Sequence, residues 1–159
     1  MQTILGSGGA IANPLAIELK KYSSEIRLVS RHPKKVNETD EIFPADLTNK
    51  ELVSKAVQGS EVVYLTAGLP YDIKIWQRDW PLIMQNVIDA CVQHNARLVF
   101  FDNVYAYSPD EVSHMTENSV KQPATHKGKV RLDWLNMIFA AIKDKGLKAL
   151  VARSADFYG

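Results

Sequence analysis

With 159 residues, 46% of them hydrophobic and 23% charged, the chain is long enough to bury a core as one domain and ordinary in composition for a soluble globular protein. A formal net charge of +1 gives no overall electrostatic drive toward nucleic acid or an anionic membrane, and no apolar run is long enough to span a bilayer. The single cysteine, Cys91, excludes an internal disulfide and fits a reducing cytoplasm; with no second thiol, no metal site is expected.

Residues 2–5 form a short β-rich run that stops at Gly6, Gly8 and Gly9. Ile11, Leu15 and Leu19 then fall at helical spacing with Ala16 on the same face, and Pro14 occupies the first turn, where its missing N–H does no harm. Residues 26–29 make a second strand, closed by the polar segment SRHPKK. A weaker strand over 41–45 leads into Asp46, and Thr48 is expected to cap a short helix carrying Leu52, Val53, Ala56 and Val57.

Residues 61–67 are almost continuously apolar, as befits a strand buried on both faces. The pattern predicts a helix over 79–94, with Pro81 in its first turn and Ile83, Val87, Ile88 and Cys91 inward. Cys91 reads there as a buried structural thiol. A fifth apolar strand spans 97–101, and 105–123 is polar and aperiodic, a long loop of the kind that signals function or mobility. A helix over 127–145 shows Val130, Trp134, Leu135, Ile138 and Ile142 on one face and stops at Gly146. Residues 149–152 form the last strand. Strands alternating with helices imply an α/β domain with a parallel sheet and right-handed crossovers.

The first strand–helix junction reads LGSGGAIANPLA. Gly6 permits a tight turn, and Gly8 and Gly9 leave room for a pyrophosphate to reach backbone N–H groups at a helix N-terminus, where the helix dipole also favours an anion. Gly6, Ser7, Gly8, Gly9, Ala10 and Ile11 are the candidate phosphate contacts, with Ala12 as the small residue where helix meets strand. The end of the second strand carries no Asp or Glu to hold a ribose 2′-hydroxyl; Ser30 and Arg31 stand there, with Lys34 and Lys35 behind. A guanidinium can bind a 2′-phosphate through paired, charge-assisted hydrogen bonds, so NADP(H) is favoured, with NAD(H) as the alternative. Asp46 is placed to meet the adenine ring beside Leu47, or to cap the following helix.

Four segments, LGSGGAIA, ADLTN, VVYLTAG and RSADFYG, together make the chain resemble the extended and atypical short-chain dehydrogenase/reductases, the NAD(P)-dependent epimerase/dehydratase group. In RSADFYG, Ser154 replaces the proline of that group's signature. The resemblance implies a doubly wound, Rossmann-type sheet of order 3-2-1-4-5-6, with Thr66, Ala67 and Gly68 passing beside the cofactor. Members of the group are about twice this long, so residues 1–159 are expected to be the cofactor-binding domain, ending at Tyr158 and Gly159 where a substrate domain would begin.

The resemblance also implies a Ser or Thr after the fifth strand and a Tyr-x-x-x-Lys on the next helix. This chain has Asn103 at the first place and Lys127 at the lysine; Pro123 stands where the tyrosine would be, and Arg131 where a glutamate is common. The candidate catalytic group is therefore Asn103, Tyr105, Tyr107 and Lys127. Tyr105 or Tyr107 would supply a replacement phenol, or Tyr107 is a buried loop anchor; Lys127 would hold the nicotinamide ribose, or is a solvated helix-end lysine. An NADP(H)-dependent oxidoreductase or epimerase acting on a sugar-nucleotide-like or other carbonyl substrate competes with a non-catalytic NADP(H)-binding sensor. A homodimer is expected through helices 79–94 and 127–145, whose Met84, Leu132, Met137 and Phe139 fall outside the inward stripes. His114 and His126 are expected at the surface.

Overall fold

The computed structural model describes residues 1–155; Tyr158 and Gly159 lie outside the described residues. Its elements are β1 (Gln2–Leu5), α1 (Ala12–Leu19), β2 (Ile26–Ser30), β3 (Glu41–Pro44), α2 (Lys50–Val57), β4 (Val62–Leu65), α3 (Ile73–Gln93), β5 (Arg97–Asn103), α4 (His126–Lys145) and β6 (Ala149–Ser154). The strands form one sheet in the order β3-β2-β1-β4-β5-β6, every pair parallel. This is the doubly wound order expected above. β1 sits at the reversal point, paired to β2 on one side and β4 on the other.

Alternation along each strand sends side chains to two unequal cores. Leu5, Val29, Val63, Leu65, Leu98 and Phe100 pack against the inward stripes of α2, α3 and α4. Ile4, Ile26 and Leu28 point the other way, onto Ala12, Ala16 and Leu19 of α1. Ala12 is only 1% exposed, so the place of a third glycine is taken by a small residue wedged between helix and strand.

The long helix differs from expectation at its start. Asp72 is the N-cap, its Oδ1 accepting the Lys74 N–H at 2.7 Å, so α3 begins two turns before Pro81. Pro81 lies inside the helix on its solvent face, where the Gln77 carbonyl it cannot satisfy has access to water. Trp76 and Trp80 precede it on the buried face and pin the extra turns. The lengthened helix continues a ridge of four-residue steps, Trp76, Trp80, Met84 and Ile88, so Met84 is fully buried and contributes nothing to an exposed face. Ile142 departs in the other direction: it is 39% exposed, and Ala141 takes the inward place. The cap of α2 is Asn49, whose Oδ1 accepts the Leu52 N–H at 3.1 Å, and not Thr48. Gly146 ends α4 at φ 68°, the left-handed C-terminal geometry expected of it. No described helix is long and apolar enough to cross a membrane.

A buried ionic group joins α4, β5, β6 and the loop after β5. The Asp102 carboxylate is fully buried; Arg131 Nη1 donates to one oxygen at 3.0 Å and Arg153 Nε to the other at 3.4 Å. Arg131 also lies 4.8 Å from the Trp134 ring, 5.2 Å from Trp76 and 5.9 Å from Trp80. The Trp80 and Trp134 rings themselves are 4.4 Å apart. Burial pushes the Asp102 carboxyl above the ordinary carboxylate range and the two guanidiniums oppose it. Burial likewise pulls the Arg131 guanidinium down, against the Asp102 charge. Asp102→Ala leaves two mostly buried guanidiniums without their anion and is expected to cost about 3–5 kcal/mol in a denaturant melt.

Cys91 is 1% exposed, and burial pushes its thiol up to about 12. The reactive thiolate is therefore scarce at mildly alkaline pH, and iodoacetamide is expected to label Cys91 only after denaturant unfolds the chain.

Candidate functional site

The turn after β1 is built on backbone that only glycine tolerates well. Gly6 has φ 98°, and a methyl group added there would overlap the backbone of Ala67 just past β4. The Gly6 and Ser7 N–H groups both reach the Val29 carbonyl, at 2.8 and 3.0 Å, and the Thr66 N–H reaches the Leu5 carbonyl at 2.9 Å. The ends of β1, β2 and β4 are thereby drawn together. Gly8 has φ 92° and faces open space; Gly9 meets nothing closer than 3.9 Å. No side chain caps the first turn of α1.

These residues form one wall of a cleft of about 570 Å³ at the C-terminal edge of the sheet. Gly6, Ser7, Gly8, Gly9, Ser30, Arg31, Asp46, Leu47, Thr66, Ala67 and Gly68 line it. Ala10, Ile11 and Lys34 do not; Ala10 and Lys34 are exposed outside its wall. The Ser7 hydroxyl is buried and has no hydrogen-bond partner. A buried hydroxyl beside bare glycine backbone and an uncapped helix start suits an anionic oxygen of a ligand, so the residues present fit a dinucleotide diphosphate.

Asp46 belongs to the cleft and not to a helix cap. Its Oδ1 accepts the Thr48 N–H at 2.9 Å and the Thr48 hydroxyl at 2.8 Å, and those bonds hold the carboxyl below the usual carboxylate range. Asn86 on α3 donates to the Leu47 carbonyl at 3.0 Å, tying this loop to the helix. Sequence reasoning passed over Arg78 and Asp79, which line the same cleft from α3. Arg78 Nε and Nη2 meet the Asp79 carboxylate at 2.6 and 2.9 Å, in an exposed pair. With the helix start misplaced, neither residue could be read as lining the cleft.

A second cleft of about 540 Å³ adjoins along the same loop. The segment 66–69 walls the first cleft, and Tyr71 and Ile73 wall the second, with Gln77, Tyr105, Thr125, His126 and Lys127. Tyr105 and Lys127 are thus brought together. Lys127 Nζ lies 2.8 Å from the centre of the Tyr71 ring, so this lysine is not a simple solvated one. Asn103 is 8% exposed and lines neither cleft; its Oδ1 accepts the Tyr105 N–H at 3.0 Å. Tyr107 also lines neither: it is 8% exposed, and its hydroxyl accepts a hydrogen bond from Arg153 Nη1 at 2.9 Å. Of the two readings of Tyr107, that geometry is the loop anchor's. Pro123 is buried against the first turn of α4, where a methyl group on Gly128 would overlap both Pro123 and the Tyr105 carbonyl. His114 and His126 are exposed, as expected.

A parallel sheet of this order, with a glycine turn opening onto a cleft where the strand order reverses, defines a Rossmann-type dinucleotide-binding domain. The chain belongs to the NAD(P)H-binding family, whose model matches residues 6–149. Comparison by sequence with curated proteins finds no match. Solved structures with the same fold include the UDP-N-acetylglucosamine 4-epimerase from Bacillus cereus, at 19% identity and TM-score 0.84, with 99% of this chain matched to 54% of that one. A monomeric L-threonine 3-dehydrogenase from a metagenome gives 18% identity and TM-score 0.83, with 97% of this chain on 53% of that one. The uronate dehydrogenase from Agrobacterium tumefaciens gives 16% and 0.82, with 93% on 57%. The chain spans little more than half the length of each.

Two glycines in this turn are expected to differ in their tolerance of alanine. Gly6→Ala combines a positive φ with overlap on Ala67 and should cost about 2 kcal/mol or more in a thermal or denaturant melt. Gly9→Ala has neither problem, so its melt should match that of the unaltered protein, while its new methyl group stands on the cleft wall.

Proposed function

We propose that this protein is an oxidoreductase that holds NADP(H) in the glycine cleft and a carbonyl substrate in the adjoining one. The observation that carries the reading is the shared loop: residues 66–69 border a cradle suited to a diphosphate, and Tyr71 borders a cleft with phenols and an ammonium. When bound, a reduced nicotinamide supplies a hydride for a carbonyl carbon. The chain's own residues do the rest. Gly8, Gly9 and the Ser7 hydroxyl would hold the diphosphate, Asp46 and Leu47 the adenine end, and Thr66, Ala67 and Gly68 the path toward the second cleft.

Preference for the 2′-phosphate rests on Arg31 and on Arg78. Arg31, at the end of β2, and Arg78, on α3, line the same cleft as Asp46. An exposed arginine–aspartate pair is worth little, and Arg78 can give up Asp79 for a doubly charged phosphate at small cost. The substrate class, sugar-nucleotide-like or another carbonyl compound, is suggested by the named activities of the solved structures of this fold. Pairing of two chains through α3 and α4 is also part of the reading, with Leu82 and Phe139 exposed on them. A solution mass equal to one chain would count against it.

One observation favours a second reading, a cofactor-binding sensor without turnover. Pro123 is packed into the loop where the resemblance led one to expect a phenol. That reading requires NADPH binding with no hydride transfer to any carbonyl compound offered.

Fluorescence titration with NADPH and NADH tests the cofactor assignment. NADPH should bind more tightly, and Arg31→Ala should weaken NADPH by about 10- to 100-fold, the loss of a charge-assisted hydrogen-bonded pair, while NADH changes little. Arg78→Ala should act in the same direction. Failure to bind either dinucleotide would reject the proposal outright.

A further inference from the structure

We infer that Tyr71, on the loop between β4 and α3, is the proton donor of the second cleft, with Lys127 of α4 as its electrostatic partner. The inference rests on the dinucleotide reading above and adds to it the group that completes reduction of a carbonyl. Four observations converge. Tyr71 lines the cleft next to the one that would take the dinucleotide, and only Gly68, Leu69 and Pro70 separate it from Ala67. Lys127 Nζ lies 2.8 Å from the centre of its ring and lines the same cleft. The ring stands edge-on to Trp76 at 5.6 Å and 88°, and Trp76 is itself 5% exposed and held by an Nε1 hydrogen bond to the Pro70 carbonyl at 2.8 Å. Tyr71 is 70% exposed, so its hydroxyl exchanges protons with water between turnovers.

The alternatives in reach are poorer. The Tyr107 hydroxyl is engaged by Arg153, and Asn103 uses its Oδ1 on the Tyr105 backbone. Tyr105 shares the cleft, but the guanidinium that acts on it, that of Arg131, is committed to the Asp102 carboxylate.

The step balances. Hydride from the reduced dinucleotide forms a C–H bond at the carbonyl carbon as the C=O π bond opens onto oxygen. The Tyr71 O–H bond breaks and its proton goes to that oxygen, giving an alcohol and the oxidised dinucleotide. The Lys127 ammonium, already against the ring, offsets the negative charge left on the phenolate until water reprotonates it.

Three variants separate this role from plain packing. Tyr71→Phe keeps the ring and loses the hydroxyl, Tyr71→Leu loses both, and Tyr105→Phe removes the rival phenol. NADPH affinity by fluorescence and the ring-current shift of the Lys127 ε-methylene protons by NMR serve as readouts independent of turnover. Phenanthrenequinone and nitrobenzaldehyde, with NADPH, serve as carbonyl probes. Tyr71→Phe should bind NADPH as the unaltered protein does, keep the Lys127 shift, and lose about 10²- to 10⁴-fold in reduction rate. Tyr71→Leu should lose the shift as well. Tyr105→Phe, which alters the cleft wall, should lose at least about tenfold less rate than Tyr71→Phe; an equal or larger loss at Tyr105 overturns the inference. A Tyr71→Phe protein that reduces the probes normally overturns the inference, as does an unaltered protein that binds NADPH and reduces neither. An unaltered protein that binds no dinucleotide takes down the underlying function with it.

Discussion

The backbone of Gly6 lies so close to that of Ala67 that no side chain fits between them. β1 and β4 are neighbours in the sheet, yet their chains leave toward opposite faces, β1 into α1 and β4 into α3. Parallel strands that part in this way leave a crevice at their C-terminal ends, and its width is set by how near the two turns can come. Here the hydrogen bonds of Gly6, Ser7 and Thr66 to Val29 and Leu5 hold the three strand ends together. The open sides of Gly8 and Gly9 and the unpartnered Ser7 hydroxyl then face the crevice because nothing else is left to fill it. The cradle is a by-product of tight packing one residue away.

A second constraint positions the far side of the site. Asp102 at the end of β5 fixes Arg131 and Arg153, and Arg131 in turn sits among three tryptophans of α3 and α4. This group locks the two long helices to each other and to the sheet. Since Tyr71, Arg78 and Lys127 all sit at or near the starts of those helices, their places follow from it. The charge here is not balanced within the group, two guanidiniums against one carboxylate. Its role is to fix geometry, and the aromatic faces around Arg131 replace part of the water it gives up.

Much of this was legible in the residues. The strand order followed from the resemblance and the alternation of strands and helices; the glycine turn, Arg31 and Asp46 were placed at one site from motif and strand position, and 66–68 were added to it by the resemblance. What escaped was information carried by contacts between distant parts of the chain. Pro81 looked like a first-turn residue because local rules favour it there; the tryptophans that carry the helix past it stabilise it only once α4 and β5 are packed beside them. The same shift hid Arg78, Asp79 and the burial of Met84. Tyr71 sits in a short turn, LPYD, with no periodicity to mark it, and its meaning depends on a lysine fifty-six residues later. Asp102, in an apolar strand, gave no hint of its two arginine partners.

The most direct test is a crystal structure of the protein grown with NADP⁺. The expected result is a diphosphate within hydrogen-bond distance of the Gly8 and Gly9 backbone and the Ser7 hydroxyl, with the 2′-phosphate against Arg31. A nucleotide bound elsewhere, or a hollow at the start of α1 closed by the protein's own chain, would contradict it.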